Sequence, residues 1–147
     1  MHRARSGFDI DTAELLDYEQ TLDLGRAVLT RAFRTRDTAG RITRITQQRF
    51  VSQHDDQVAG LTVTVEAENW SGPLTLRSAL EGRVANRNVP EYRLLADTHL
   101  VPRATAEPDA DTVLLEMETS QSGIHIVMAA RTRCSATRWC STRPEPC

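Results

Sequence analysis

The amino-acid sequence predicts a mainly β protein, built as an antiparallel β-sandwich or as part of one. Apolar residues alternate with polar ones along most of the chain, which is the period of strands and not of helices. Short β-rich runs are separated by turn signals that contain Gly, Asn, Asp or Ser, and no segment has a strong helical pattern. At 147 residues the chain has the length of one ordinary domain and is long enough to bury a core.

Five predicted strands fill the first part of the sequence. The segment "TAELLDYEQTLDLGRA" fits neither period well, and we interpret it as a strand with an irregular start. The segments "AVLTRAFRTRD" and "RITRITQQRFV" predict a hairpin across the turn "DTAG". The segment "GLTVTVEAE" alternates cleanly, and we expect it to form a second hairpin with "LTLRSALEGRV".

The second part of the sequence is less regular. Residues 85–111 contain three prolines and predict long connections around one short strand near His99–Val101. The segments "TVLLEMET" and "GIHIVMAAR" predict a third hairpin across "SQSG". Successive short antiparallel strands of this kind favour a sandwich.

Composition argues against two classes of partner. The formal net charge of −2 gives no reason to expect a nucleic acid or an anionic membrane surface as a ligand. No run approaches the roughly 20 apolar residues that cross a bilayer, and the start "MHRARSGFDID" has no apolar segment of a secretory signal. We therefore expect a soluble, cytoplasmic protein. All eighteen basic residues are arginine, which we attribute to a GC-rich coding sequence.

Candidate acid–base groups occur as three carboxylate pairs: Asp55 with Asp56, Asp109 with Asp111, and Glu116 with Glu118. Glu116 and Glu118 would share one face of a strand at about 7 Å, within the range of about 5–10 Å that glycosidic chemistry uses. Charged residues on an exposed strand face are the simpler interpretation. The pattern therefore predicts no catalytic residue.

Metal and nucleophile motifs are absent from the sequence. The four histidines, at positions 2, 54, 99 and 125, lack the spacing of a zinc site. His125 lies in an apolar strand, and we interpret it as a packed or hydrogen-bonded residue at the edge of the core. No nucleophile elbow, phosphate loop or dinucleotide fingerprint is present. We therefore expect no bound metal and no cofactor.

Four segments occur in an order and spacing that resemble a known family: "DLGRAVLTRAFRTRD", "GRITRITQQRFVS", "ENWSGPLTLRSALEGRVAN" and "TVLLEMETSQSGIHI". They resemble the N-terminal domain of glycoside hydrolase family 65, which includes maltose, trehalose and kojibiose phosphorylases and related trehalose hydrolases. The resemblance covers residues 8–131 and implies a partial sandwich of the galactose-mutarotase-like supersandwich type, truncated at both ends. In "DLGRAVLTR", Gly25 precedes Arg26, which departs from the family's more usual double-basic, Gly-bearing form.

The resemblance also implies what the parent enzyme does. In this family the sandwich packs against an (α/α)6 barrel that carries the catalytic glutamate, and no residue of this chain matches that glutamate. The parent enzyme would act on α-glucosides such as trehalose, maltose or kojibiose and would invert the anomeric centre. Water would be the nucleophile of a hydrolase, and inorganic phosphate would be the co-substrate of a phosphorylase.

Three functions stay open at this point. The first is a non-catalytic fragment of such an enzyme, inactive alone, whose partners are the missing barrel and, through it, a disaccharide. The second is a freestanding carbohydrate-binding module, for which Trp70 and Tyr92 are weak candidates for substrate binding by stacking. The third is a small enzyme that uses Glu116 and Glu118. For a truncated sandwich we expect poor solubility, because unpaired strand edges and uncovered apolar faces favour association.

The C-terminal segment "TRCSATRWCSTRPEPC" holds all three cysteines. Their spacing does not match a structural zinc site, and their odd number does not suit a disulfide framework. A reactive thiol beside an arginine stays open. Because the resemblance fades near "AARTRC", our hypothesis is that residues 132–147 are a disordered or out-of-frame tail without function.

Overall fold

The computed structural model describes residues 10, 12–85 and 98–135, which form seven β-strands and no helix. The strands are β1 (Glu14–Asp23), β2 (Val28–Arg36), β3 (Ile42–Val51), β4 (Ala59–Ala67), β5 (Leu100–Asp109), β6 (Thr112–Thr119) and β7 (His125–Arg131). They form two antiparallel sheets, with the orders β1-β2-β3-β4 and β5-β6-β7. The predicted mainly β class with antiparallel sheets is confirmed.

The chain falls into two compact units, with the boundary between Pro73 and Leu74. The first unit contains the four-stranded sheet, and the second contains the three-stranded sheet. This boundary lies inside residues 8–131, the range predicted as one domain.

The four-stranded sheet has one face on which an apolar row lies and an opposite face that is mainly polar. Residues directly opposite each other on neighbouring strands point to the same face. The register therefore forms one apolar row across the sheet: Tyr18, Phe33, Ile45 and Val65. Phe33 is only 2% exposed, and its ring stacks on that of Tyr18 with 6.4 Å between the centroids. This row is the core of the first unit.

The polar face of the same sheet pairs arginines with carboxylates. Arg34 lies 3.2 Å from Asp17 and 2.5 Å from Glu68, and Glu68 lies 3.5 Å from Arg44. The hydrogen bonds to Glu68 and Asp17 raise the pKa of Arg34. The hydrogen bond from Arg34 in turn lowers the pKa of Glu68. The network links β1, β2 and β3 to the residue that follows β4.

The predicted turn at "DTAG" is confirmed between β2 and β3. Asp37 Oδ1 accepts hydrogen bonds from the backbone N–H groups of Ala39 at 2.9 Å and Arg41 at 3.0 Å. Gly40 has a φ of 77°, which glycine adopts without steric cost. The backbone hydrogen bond from Arg41 is the largest cause that lowers the pKa of Asp37. Local side-chain bonds of this kind stabilise the turn.

The turn between β1 and β2 contains a strained residue. Ala27 has a φ of 54°, a left-handed conformation, and is the non-glycine residue with a positive φ in the described part of the chain. In this conformation the Cβ of an L-residue approaches the following carbonyl oxygen. The backbone N–H of Arg26 donates to Asp23 Oδ1 at 3.0 Å, which holds the turn in place. The predicted irregular start of β1 is also confirmed, as a register shift between Leu15 and Asp17.

Residues 74–84, predicted as the hairpin partner of β4, form no strand. Leu74 and Leu76, which supplied the alternating pattern, are 51% and 56% exposed. Gly82 instead lies against β6, where an added Cβ would stand 2.6 Å from Met117 Sδ and 3.1 Å from Leu115 Cδ2. The prediction was wrong because this segment packs on a sheet through close contact and not through a backbone ladder.

The three-stranded sheet starts with a strand longer than predicted. β5 extends over Leu100–Asp109, although Pro102 and Pro108 suggested a connection. Proline lacks a backbone N–H, and an edge strand tolerates it because only one side of the backbone must pair. β5 is such an edge, and its register against β6 breaks between Pro102 and Ala104.

The predicted hairpin across "SQSG" is confirmed as β6 and β7. Gly123 closes its turn with a φ of 65°. Leu115 and Met117 of β6 are 6% and 2% exposed, so they form the core of the second unit. Among the residues that the structure describes, no helix has the length and hydropathy to span a membrane.

We expect the Ala27→Gly substitution to raise the free energy of unfolding by about 1 kcal/mol. Glycine removes the left-handed strain, and this gain exceeds the entropy that it adds to the unfolded chain. Urea unfolding followed by far-UV circular dichroism measures the change. Ala39→Gly is the control, because Ala39 lies in the next turn without a positive φ and should lose roughly 0.5 kcal/mol. Equal losses at both positions would contradict the assignment of strain to Ala27.

Stability should fall in mild acid, because the pKa values of Glu68 and Asp37 are lower in the folded protein. A carboxyl group with a lowered pKa stabilises the fold at pH values above its ordinary pKa, which is 4.5 for Glu68 and 3.8 for Asp37. That contribution is lost as the pH falls through the folded-state pKa. Urea midpoints measured between about pH 7 and pH 3 should therefore be flat at first and then decline below about pH 4.5.

The Glu68→Gln variant should show a shallower decline in the same titration. The Glu19→Gln variant is the matched control, because Glu19 lies on the same face of the sheet and forms its hydrogen bond with Thr21 and not with an arginine. A decline that is equally steep in both variants would show that Glu68 does not contribute to the acid sensitivity.

Candidate functional site

A short loop after β4, Glu68–Asn69–Trp70, carries one of the two predicted sugar-stacking residues. Asn69 Oδ1 accepts a hydrogen bond from the backbone N–H of Ile42 at 2.6 Å, and Asn69 Nδ2 donates to the carbonyl of Gly40 at 3.0 Å. The backbone N–H of Glu68 donates to the carbonyl of Ile42 at 3.0 Å. These bonds fix the loop to the start of β3, and the fixed backbone positions Trp70.

Trp70 itself is half-buried against β3. Its Nε1–H donates to Thr43 Oγ1 at 3.0 Å, and the guanidinium carbon of Arg41 lies 5.3 Å from the ring centroid. A cation over an aromatic face is held by the quadrupole of the ring. A sugar that stacked on that face would have to displace Arg41. The indole is therefore a loop aromatic folded onto the sheet, and its role in substrate binding stays a prediction, while Tyr92 lies outside the described residues.

Four ionisable side chains meet on one face of the three-stranded sheet, and we call them the β6–β7 ion cluster: Arg103, Glu116, Glu118 and His125. His125 Nδ1 lies 3.0 Å from Glu116 Oε1, and His125 Nε2 lies 3.6 Å from Glu118 Oε2. Arg103 Nε donates to Glu118 Oε2 at 2.7 Å. Both carboxylates therefore contact one imidazole, and one of them also binds a guanidinium.

This arrangement does not resemble the acid pair of a glycosidase. Glycosidic chemistry needs two carboxyl groups that flank the scissile bond with room for the sugar between them. Here the imidazole of His125 occupies the space between Glu116 and Glu118, and its side chain is 61% exposed. The predicted common strand face of the two glutamates is confirmed by their register against β7. The cluster is best described as a solvated ion-pair network.

The other two carboxylate pairs belong to turns. Asp55 Oδ1 accepts the backbone N–H of Gln57 at 3.1 Å, in the turn between β3 and β4. Asp109 Oδ1 accepts the backbone N–H of Asp111 at 3.1 Å, between β5 and β6. Hydrogen bonds, with that from the Thr112 side chain the largest, lower the pKa of Asp109. Both pairs therefore contain a carboxylate that stabilises a turn.

A cavity of about 120 Å³ lies in the second unit, lined in part by Leu80, Gly82, Val113 and Leu115. Pockets for small molecules usually enclose about 300–1,000 Å³ and present convergent polar groups. The lining here includes neither Trp70 nor the residues of the β6–β7 ion cluster. The cavity lies beside Gly82 and is too small for a disaccharide.

Within residues 12–85 and 98–135, no group of three His, Cys, Asp or Glu side chains could hold a metal ion. Cys134 is disulfide-bonded, so it offers no thiol for nucleophilic chemistry. Residues 136–147, most of the predicted tail, lie outside the described part of the chain.

Sequence reasoning missed the environment of His125, which was interpreted as a residue at the core edge. Of the two predicted alternatives, packed or hydrogen-bonded, the structure shows the hydrogen-bonded one, and the exposure of the side chain was not predicted. The signal was present in the hairpin: equal arms across "SQSG" place His125 opposite Glu118, as observed. The anchoring role of Asn69 had no such signal, because its partners are 27 and 29 residues away.

Comparison with known proteins confirms the family resemblance. The chain matches the family described as "Glycosyl hydrolase family 65, N-terminal domain" over residues 4–145. It is 50% identical over 124 residues to an uncharacterized glycosyl hydrolase of Mycobacterium tuberculosis strain H37Rv, which covers 84% of this chain and 9% of the relative. It is 28% identical over 125 residues to a kojibiose phosphorylase of Thermoanaerobacter brockii, covering 84% of this chain and 16% of the relative.

An α,α-trehalose phosphorylase of Thermoanaerobacter brockii is 29% identical over 84 residues, covering 57% of this chain and 11% of the relative. The chain thus spans 9–16% of the length of these relatives. The family match is wider than residues 8–131 and includes most of residues 132–147. Because the match covers nearly the whole sequence, the chain belongs to the N-terminal domain family of glycosyl hydrolase family 65.

Proposed function

We propose that this chain is the non-catalytic accessory domain of an enzyme that acts on α-glucosidic disaccharides, and that it is inactive alone. Family membership over residues 4–145 carries the proposal, together with the small share of each relative that the chain spans. The catalytic residues would lie in a separate (α/α)6 barrel, the domain that the family resemblance implies. The carboxylate pairs of the described residues support this division. Each pair contains a carboxylate that already accepts a backbone hydrogen bond in a turn or contacts an arginine or histidine side chain.

The substrate class follows from the relatives and from the family resemblance. Relatives named for kojibiose and α,α-trehalose support a disaccharide substrate, and the family adds maltose. Inorganic phosphate would serve as co-substrate if the parent enzyme is a phosphorylase, and water would serve if it is a hydrolase. We propose no metal or organic cofactor and a cytoplasmic location.

A freestanding carbohydrate-binding module is the second candidate. One observation favours it: Trp70 is only half-buried and is held rigidly by the Glu68–Asn69–Trp70 loop. A rigid aromatic ring is a suitable platform for the apolar face of a sugar. The two candidates differ in whether the chain alone binds a disaccharide.

Activity assays test the first candidate. We expect the purified chain to release neither glucose nor glucose 1-phosphate from kojibiose, trehalose or maltose, with or without inorganic phosphate, because the part of the chain that the structure describes holds no open acid pair. The coupled enzymatic assays for both products measure this. Turnover that disappears in Glu116→Gln or Glu118→Gln, with the β-sheet circular dichroism retained, would overturn the proposal.

Two variants separate a structural role of Trp70 from sugar binding. We expect Trp70→Phe to lower the free energy of unfolding by about 1 kcal/mol, because it removes the hydrogen bond to Thr43 Oγ1. Thr43→Val removes the same bond and retains the indole, so it should lose a similar amount. Isothermal titration with the three disaccharides should show no binding to the wild-type chain or to either variant.

Saturable binding to the wild-type chain that is lost in Trp70→Phe and kept in Thr43→Val would favour the carbohydrate-binding module. That outcome would contradict the accessory-domain proposal for the isolated chain.

A further inference from the structure

The outer edge of β4 has few of the features that normally protect an edge strand. Natural edges are blocked by lysine, proline, bulges or short length. The segment "AGLTVTVEA" has nine residues, one charged side chain and no proline, and its register against β3 is unbroken. Seven of its nine residues are exposed. In the described ranges 12–85 and 98–135, β3 is the strand that pairs with β4, and no strand of these ranges pairs with its other side.

The other three edges of the two sheets are protected. β1 carries four carboxylates along its ten residues and has a register break after Leu15. β5 contains Pro102 and Pro108. β7 is shorter, with His125 at its first position and Arg131 at its last. If two copies of β7 paired antiparallel along their full length, His125 of each copy would face Arg131 of the other. The contrast singles out β4.

The sequence of β4 is self-complementary about its central residue, Val63. When the strand is placed antiparallel to a second copy, Val63 faces Val63, Leu61 faces Val65, and Thr62 faces Thr64. Apolar residues then meet apolar ones on one face, and threonines meet threonines on the other. Such cross-strand pairs are favourable, and no like charges are opposed. An odd shift in register would place threonines against the apolar side chains.

We propose that β4 is a self-association edge, through which two copies of this chain pair antiparallel about a twofold axis at Val63. The two four-stranded sheets become one sheet of eight strands, and the open backbone N–H and C=O groups of β4 are paired. A twofold contact of this kind is isologous, so it closes at the dimer. The exposed Leu61 and Val63, 64% and 39% accessible, would lie beside their counterparts and be partly covered.

Paired substitutions on the polar face of β4 test both the edge and the register. In the Thr62→Lys/Thr64→Lys variant, two lysines of one copy face two lysines of the other. In the Thr62→Lys/Thr64→Glu variant, the same positions place each lysine opposite a glutamate. The Thr46→Lys/Gln48→Lys variant is the control, with the same added charge on the same face of the neighbouring strand β3.

In the dimer, the control lysines of the two copies are three strand spacings apart, about 14 Å. That separation exceeds the Debye length of about 8 Å at physiological ionic strength, so the control should not repel. Sedimentation equilibrium of the full 147-residue chain measures the dimer dissociation constant. Far-UV circular dichroism checks that each variant keeps its sheets.

We expect the wild-type chain to form a reversible dimer. The dissociation constant should rise about tenfold in the Lys/Lys variant, because two cross-strand pairs become repulsive. It should stay within about threefold of the wild type in the Lys/Glu variant and in the β3 control. Hydrogen exchange at the β4 amides should slow as the protein concentration increases.

Four results would overturn the proposal. The first is a wild-type chain that stays monomeric, and the second is a dimer that the β3 control weakens as much as the Lys/Lys variant does. The third is association beyond the dimer that the Lys/Lys variant leaves unchanged, and the fourth is protection of the β4 amides that does not depend on protein concentration. The last result would show that the edge is covered within one chain. These outcomes are independent of sugar binding and of turnover, so they do not depend on the proposed function.

Discussion

The register among β2, β3 and β4 determines the rest of the first unit. It places Phe33, Ile45 and Val65 in one row on the apolar face. The same register brings Arg34 beside Glu68 on the polar face. Because side chains alternate with a period of two, a slip by one residue would send Phe33 to the polar face and Arg34 to the apolar face. Burial of Phe33 and the ion pair of Arg34 therefore favour the same register.

The Glu68–Asn69–Trp70 loop stabilises this register from the end of the sheet. Asn69 satisfies the backbone of Ile42 and Gly40, which are otherwise unpaired polar groups at the start of β3. Trp70 binds Thr43, the residue that faces Ala67 at the end of β4. A segment with the appearance of a binding motif in the sequence thus has a clear role in folding. Polar and aromatic side chains of a loop do not by themselves indicate a ligand.

The sequence correctly predicted the strands for which the alternating apolar pattern and the short connecting turn indicate the same hairpin. β2, β3, β6 and β7 alternate, and each pair is joined by a short turn, so local signals were sufficient. The error at residues 74–84 arose because Leu74 and Leu76 have the spacing of a strand, although the contact that positions this segment is made by Gly82 against β6. The error at β5 arose because proline signals a connection unless the strand is at an edge, and edge position depends on sheet order.

Candidate site residues were harder to predict, because their partners are set by register across the sheet. The sequence correctly placed Glu116 and Glu118 on one face of β6, but the role of that pair depends on His125 from the opposite arm of the hairpin. Arg34, for example, binds Asp17 and Glu68, which lie 17 and 34 residues away from it in the sequence. Residue types alone could not separate an acid pair from an ion-pair network.

The absence of lysine from the sequence has a structural consequence at β4. Lysine is a common means of protecting an edge strand, since its charge remains solvated and opposes pairing with another chain. This chain relies on carboxylates at β1 and on proline at β5, and β4 has neither along its central residues. Arg44 of β3, which lies opposite Glu66 of β4, is bound to Glu68 and so contributes little repulsion. A bias in composition thus leaves one edge unprotected in a domain whose relatives are much longer chains, in which further polypeptide is available to cover it.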